Sequence, residues 1–316
     1  MKPYPIKLIP VLKFPIWGGR RLKTDWCVQT DAPTVGESWV LTLRKQEKNV
    51  IANGVWAGRK LEEVIKTFGA SADDFPLLVK LLDAGDTLSV QVHPDDRYAA
   101  EKEHDRGKTE MWHVIEADPG AELIMGLKPG ITPEDFAKAV RSGKIEDALS
   151  HIPVKPGETY FIPAGMPHAI GKGILLAEIQ QNCDLTYRIY DFNRLGADGK
   201  PRDLHIQKAL DVVRPFSKDE VDRIQYENDP TADRNTVLAD CSRFRVERHD
   251  VSEIMKLSAI PKYRHLLCIK GEGRLVAEKI SYPIQKADSY LLPPSQDYTI
   301  QGNLTFLLTD PPEMSY

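Results

Sequence analysis

Two well-separated segments constrain this chain more than any other feature: Gly85-Asp-Thr-Leu-Ser-Val-Gln91-Val-His93 and Gly157-Glu-Thr-Tyr-Phe-Ile-Pro163-Ala-Gly165-Met-Pro-His168. In each, a glycine turn leads into a short apolar strand. Gln91 and His93 lie two apart, and strand residues at i and i+2 share a face, so both point inward while Val92 points out. In the second segment a Pro-x-Gly bend ends one strand, and His168 stands where the next begins. That places an imidazole on the inner wall of a small β-barrel, where a metal can be held. Two separated segments thus each deliver inward-facing ligands, a convergence that structure alone hardly explains.

Composition removes several alternatives. With 42 basic against 46 acidic residues and a net charge of −4, the chain offers no general attraction for nucleic acid. Any anion must be held by a local basic cluster. No apolar run approaches the roughly 20 residues needed to span a membrane. The opening Met-Lys-Pro-Tyr-Pro-Ile has no signal-peptide core. Cys27, Cys183, Cys241 and Cys268 are scattered without a CxxC pair and read as reduced thiols of a cytoplasmic protein.

A length of 316 residues suggests two domains or one elaborated domain. Strand patterns fall at 6–11, 37–42, 77–82, 88–93, 159–162 and 174–180. Apolar positions 61, 64, 65 and 68 have helical spacing. The charged run 95–105 reads as a solvated helix. Thr132-Pro133-Glu134-Asp135 is a helix start, with helical sequence expected to about residue 151 and an interruption near Ser142-Gly143. Residues 215–233 turn polar and irregular, like a linker. Beyond them strands recur at 263–270, 273–278, 289–292 and 304–309. Within that region Ala287 to Tyr298 repeats the spacing of the histidine segment, with Ser295 for glycine and Tyr298 for histidine. The expected division is a catalytic unit over 1–220, with helical insertions near 57–70 and 95–150, and a metal-free β unit over 234–316 for packing or oligomerisation.

Gly-x5-His-x-His and Gly-x5-Pro-x-Gly-x2-His are the two metal-binding motifs of the cupin superfamily, and the chain resembles both, with Gln91 replacing the first histidine. Its further motifs are Trp17-Gly-Gly-Arg20, Gly36-Glu37-Ser38-Trp39, Ser89-Val-Gln91-Val-His93-Pro94-Asp95, Gly107-Lys108-Thr109-Glu110-Met111-Trp112 and Tyr187-Arg188. In that order they resemble the short bacterial class of type I mannose-6-phosphate isomerases. The implied fold is mainly β: a cupin (jelly-roll) barrel with inserted α-helices, plus a degenerate C-terminal cupin-like β domain. The implied activity interconverts mannose 6-phosphate and fructose 6-phosphate through a cis-enediol. The partner is then a small sugar phosphate, with no nucleic acid or membrane; oligomeric state stays open. Long relatives that add guanylyl transfer carry a nucleotide-binding domain, and no Gly-rich nucleotide loop matches here.

The expected ligands are Gln91, His93, Glu110 and His168. Glu110 is chosen partly by the resemblance, and the Gln91 amide is equally able to bind substrate or a water. Two imidazoles and a carboxylate suit zinc, and also a 2-His-1-carboxylate iron site. The resemblance implies Zn2+, one per chain, leaving other divalent metals open. His104, His113, His151, His205, His249 and His265 read as packed or surface residues.

Lys80 follows the apolar run 76–79, an awkward place for charge unless it faces a polar interior. Ser89 alternates with Gln91 and His93, and Lys108 precedes Glu110 by two. Alternation also gives Asp184, Thr186 and Arg188 a common side. Lys80, Ser89 and Lys108 are the expected substrate-binding set, matching family positions. Glu178 lies in an apolar strand, where desolvation raises a carboxyl towards neutral pH and suits it to proton transfer. Asp184 is the alternative carrier, or the partner that orients Arg188. Arg188 stabilises the enediolate or holds phosphate. Two rival classes remain: an iron-dependent cupin oxygenase, and a non-catalytic sugar-binding cupin. A different sugar, such as glucose 6-phosphate, is disfavoured only by the resemblance.

Overall fold

A computed structural model describes residues 3–196, 198–216, 220, 225–226 and 235–313. Most of the expected linker at 215–233 lies outside them. Two sheets build the ligand-bearing half. A seven-stranded sheet runs in the spatial order Gln225–Tyr226, Thr159–Ile162, Glu110–Ala117, Ile174–Gln181, Leu77–Ala84, Glu37–Leu41 and Val11–Lys13. A five-stranded sheet runs Leu149–Pro153, Glu122–Leu127, His168–Ile170, Val90–Val92 and Tyr187–Tyr190. Their facing sides enclose one core, with Leu82, Trp112, Val114, Tyr160 and Leu176 from the first sheet against Leu123, Met125 and Ile170 from the second. The fold is mainly β, as the cupin pattern implies.

Strands Leu77–Ala84 and Ile174–Gln181 are buried along their whole length. The back of the seven-stranded sheet supplies the reason. Leu77, Val79, Leu81, Leu175, Ala177 and Ile179 pack there against Leu238, Phe244, Val246, Leu267 and Leu307 of the C-terminal half. A sheet covered on both faces needs near-continuous apolar sequence. A charge within such a strand therefore stands out.

The C-terminal half is a nine-stranded sheet with its own core of Leu266, Leu275, Ile284, Tyr290, Ile300, Phe306 and Leu308. Strand Ile6–Ile9 belongs to this sheet, with Ile6 opposite Leu291. Patterns 263–270 and 273–278 form one long strand, Arg264–Ala277, bent by a register shift between Cys268 and Lys270.

Helical signals hold where caps are present. Asp95 and Thr132 accept from Tyr98 N–H and Asp135 N–H and start helices Asp96–Glu103 and Pro133–Arg141. The spacing at 61–68 becomes one α-turn and a 3-10 turn that bury Leu61, Val64, Ile65 and Phe68. Two helical expectations are corrected. Residues 149–153 are a strand, since Leu149 to Pro153 pair with Glu122–Leu127. The span 95–150 is only partly helical, because the continuous apolar run after Glu110 takes a central place in the sheet. Helices Pro133–Arg141 and Ile206–Val212 contribute Phe136 and Ala209 to a cover over Val90 and Val92 on the outer side of the five-stranded sheet.

Candidate metal centre and substrate chamber

The two sheets bring the predicted ligands together. His93 follows strand Val90–Val92, His168 opens the neighbouring strand, and Glu110 opens a strand of the opposite sheet. Gln91 and His168 are register partners. All three of His93, Glu110 and His168 are at most 1% exposed. Their ligand atoms lie within 4.8 Å of one another.

Backbone carbonyls fix the imidazole tautomers. His93 Nδ1 lies 2.7 Å from Leu185 O, and His168 Nδ1 lies 2.8 Å from Met166 O. A carbonyl only accepts, so each Nδ1 carries the proton and each Nε2 presents a lone pair to the interior. Burial, reinforced by Lys108, pushes His93 well below the ordinary histidine range and His168 down to about 3. Both rings are neutral ligands at neutral pH.

The chemistry of this donor set fits a cation. Glu110 Oε1 is buried with no hydrogen-bond donor, and it faces His168 Nε2 at 3.5 Å. Glu110 Oε2 lies 3.7 Å from His93 Nε2. Two ligands on a tetrahedral zinc are about 3.4 Å apart, close to both separations. The nearest positive group is the Lys108 ammonium, 3.0 Å from His93 Nε2 and 2.5 Å from Glu110 Oε2. Gln91 Nε2 is 3.4 Å from His168 Nε2, so its amide stands at the edge of the same cluster.

Beside the triad runs a row of side chains in direct register across four strands: Trp39 opposite Lys80, Lys80 opposite Glu178, and Glu178 opposite Trp112. Lys80 Nζ is 2.9 Å from Glu178 Oε1, and Trp112 Nε1 donates to Glu178 Oε2 at 3.2 Å. Glu178 Oε1 itself has no aligned hydrogen-bond donor. Lys108 joins the row to the triad, 3.8 Å from Glu178 Oε1. Lys80, Lys108, Glu110 and Glu178 are all at most 6% exposed.

Desolvation does not decide the Glu178 carboxyl as expected. Burial pushes it up, but the Lys108 and Lys80 ammoniums outweigh burial and hold it below the usual carboxylate range. Glu110 moves the other way, raised by burial and by the Glu178 charge against the pull of Lys108. Burial opposes the charge on Lys80, yet Glu178 and Glu37 hold it well above the ordinary lysine range. Lys80 is therefore an ammonium at any working pH.

Ser89 is buried at the head of the Gln91 strand. Arg188 lies opposite Gln91 on the edge strand, with Nη1 donating to Asp203 O at 2.8 Å and Nε buried without an acceptor. Asp184 does not join it. Asp184 pairs with Arg44, which also holds Asp105 at 2.8 Å and donates to Asn182 O. The residues after Ile174–Gln181 leave strand geometry before Tyr187, so two-residue alternation fails across 184–188. Three other buried histidines on inner strands hold structural bonds: His113 to Thr159 Oγ1, His249 to Glu247 Oε2 and His265 to Ser289 Oγ. Glu37, Trp39 and Trp112 stand in the sequence only as members of the family motifs, without a role; the local signal for the first two is their i, i+2 spacing.

Comparisons with known proteins match most of the chain. Residues 6–138 match the family model "Phosphomannose isomerase type I, catalytic domain", and 234–311 match "Mannose-6-phosphate isomerase, cupin domain". Mannose-6-phosphate isomerase ManA of Bacillus subtilis is 37% identical over 295 residues, 92% of this chain and 93% of its own. The mannose-6-phosphate isomerase of Streptococcus mutans is 36% identical over 301 residues, with 92% and 93% covered. A crystal structure of the Bacillus subtilis mannose 6-phosphate isomerase superposes with a TM-score of 0.89 at 34% identity, covering 97% of this chain and 99% of that one.

Proposed function

The chain belongs to the type I phosphomannose isomerase family, and on that premise we propose that its chamber interconverts mannose 6-phosphate and fructose 6-phosphate through a cis-enediol. One observation carries the reading. Two buried carboxylates, each with an oxygen that accepts no aligned hydrogen bond, share one chamber with two buried ammoniums. Glu110 turns its open oxygen to the imidazoles, and Glu178 turns its own to the lysines. A structural metal site needs neither lysine, and an oxygenase site has no use for an anion-binding pair.

His93, Glu110 and His168, with Gln91 at their edge, are the residues that would hold the metal, and zinc suits their donors. When bound, such a cation supplies Lewis-acid stabilisation of the charge that grows on the sugar oxygens. The remaining work falls to side chains. Glu178 Oε1 takes the proton from one carbon and returns it to the next. The two ammoniums hold it below the usual carboxylate range, so it is ionised at neutral pH at the cost of basicity. Lys80 and Lys108 place positive charge beside the enediol oxygens in a water-poor chamber, where such charge acts strongly. Arg188 has a buried N–H free for the phosphate, and Ser89 lines the approach. Asp184 stays tied to Arg44 and is assigned no proton.

Among the described residues no helix is long and apolar enough to cross a membrane. All four cysteines are free, which supports a reducing, cytoplasmic setting. The test is turnover of mannose 6-phosphate to fructose 6-phosphate by enzyme stripped with chelator and resupplied with zinc. Activity should vanish and return. No turnover by fully zinc-loaded protein would overturn the proposal.

A further inference from the structure

Glu37 has no part in the steps above, yet several contacts tie it to the proton-transfer row. Its Oε2 accepts the Trp39 indole N–H at 2.6 Å. The same oxygen lies 3.8 Å from Lys80 Nζ, and that ammonium stands 5.2 Å from the Trp39 ring centroid. Glu37 and Trp39 share one face of strand Glu37–Leu41, and the register sets Trp39 opposite Lys80. A second ammonium, Lys13, lies 4.8 Å from the same ring and is itself paired with Glu47. The indole is 6% exposed and hydrogen-bonded, so it holds the Glu37 carboxylate in one place.

A buried lysine with a single carboxylate partner closes onto it, because no other acceptor satisfies the charge. Here that closure would occupy Glu178 Oε1, the oxygen needed to accept the substrate proton. A second carboxylate draws the ammonium the other way. Both carboxylates lie within ion-pair range of the one ammonium, Glu178 Oε1 at 2.9 Å and Glu37 Oε2 at 3.8 Å, and Glu178 Oε1 is out of hydrogen-bond alignment.

We propose that Glu37, held by Trp39, is a positioning residue that shares the Lys80 ammonium with Glu178 and keeps Glu178 Oε1 open for proton transfer. The inference deepens the isomerase reading and rests on it.

Steady-state kinetics and metal content of zinc-loaded Glu37→Gln, Glu37→Asp and Trp39→Phe test it. Glu37→Gln should lower kcat about tenfold to a hundredfold, the scale of a misplaced catalytic group, with KM and bound zinc unchanged. Glu37→Asp should recover part of the loss. Trp39→Phe keeps the ring but removes the N–H, and should give a smaller loss of the same kind. A thermal double-mutant cycle of Glu37→Gln with Lys80→Met needs no substrate and should be non-additive. Wild-type kcat in Glu37→Gln, a rise in KM alone, loss of zinc, or an additive cycle would each overturn the proposal. Absence of turnover in zinc-loaded wild type would instead sink the isomerase reading, and the cycle would still decide whether Glu37 holds Lys80.

Discussion

The chain carries the same strand–turn–strand element twice, at 157–168 and at 287–298, and the two copies have opposite interiors. Their backbones correspond closely. Gly157 and Ala287 both take a positive φ, +94° and +75°, and so do Gly165 and Ser295, at +88° and +57°. Pro163 and Pro293 end the paired strands. The difference lies in what the last residue meets. His168 turns Nε2 towards Glu110 and Gln91 in a chamber of buried charge. Tyr298 donates its hydroxyl to Pro293 O at 2.7 Å, closing its own turn, among Leu266, Leu275, Ile300 and Leu308. The C-terminal copy shows that the element folds on apolar burial and a local hydrogen bond. Buried Lys80, Lys108, Glu110 and Glu178 are then a cost that the first copy bears for chemistry, since taking charges out of water opposes folding even when they are paired.

The sharpest way to break that contrast is to delete the end residue of each copy. His168→Ala should abolish metal binding and lower kcat/KM on the order of 10⁴-fold, the several kcal/mol a catalytic cation supplies. Tyr298→Phe should leave kinetics and bound zinc unchanged and cost about 1 kcal/mol of stability for the lost hydrogen bond. Metal analysis, kinetics and thermal denaturation of both proteins check this. A kinetic defect in Tyr298→Phe would mean the C-terminal copy is not merely a packing unit.

Next in size is Glu178→Gln. It keeps the shape and the Trp112 neighbour but removes the base, and should lower kcat about 10³-fold with zinc retained. An intact kcat would move the proton to another group and dissolve the division between a metal-holding and a proton-carrying carboxylate.

The metal half of this site was legible because its spacing is local. Gln91 lies on strand Val90–Val92 and His93 follows it directly, two residues on, and His168 follows a turn that sequence marks with Pro163 and Gly165. Lys80 and Glu178 were legible as charges inside apolar runs, although the sign of the Glu178 shift was not. That sign depends on two ammoniums, one from a neighbouring strand and one from the loop before Glu110. What stayed hidden was register. The row from Trp39 through Lys80 and Glu178 to Trp112 exists only because three strand pairs align to the residue, and a slip of one would turn every member to the other face. Asp184 was misplaced with Arg188 because the chain leaves strand geometry between Gln181 and Tyr187, and its true partner Arg44 comes from a distant strand. Pairing of Ile6–Ile9 with Ser289–Leu292 was equally beyond reach, because sheet edges carry no address in sequence.

Acid should act on both halves alike. Burial lowers His113 in the metal-bearing sheet and His265 in the C-terminal sheet to about 3, against 6.5 when free. The unfolded chain then binds protons that the folded chain does not between those values. Stability conferred by each neutral histidine is complete above about pH 6.5 and is lost as pH falls towards 3, on the order of a few kcal/mol for each. Urea unfolding of chelator-treated protein across that window should show the slope, and His265→Gln should flatten it. An unchanged slope would mean the C-terminal core admits water to that ring.

The smallest effects come from exchanging the third turn residue of the two copies. A Cβ on Gly165 would lie 2.9 Å from Val212 O and 3.0 Å from Arg214 Cγ, in a left-handed backbone. Gly165→Ser should therefore cost about 2 kcal/mol, combining strain with a clash against main chain. Ser295 already tolerates φ +57°. Ser295→Gly relieves roughly 1 kcal/mol of left-handed strain but frees the unfolded chain by nearly as much, so its net effect should lie within about 0.5 kcal/mol of zero. The asymmetry matters more than either number. Glycine at 165 is demanded by the close approach of the chain at 212–214, which follows helix Ile206–Val212 over the metal-bearing sheet. Equal costs in thermal denaturation would show instead that both turns are set by backbone conformation alone, and that this helical cover places no demand on the turn that delivers His168.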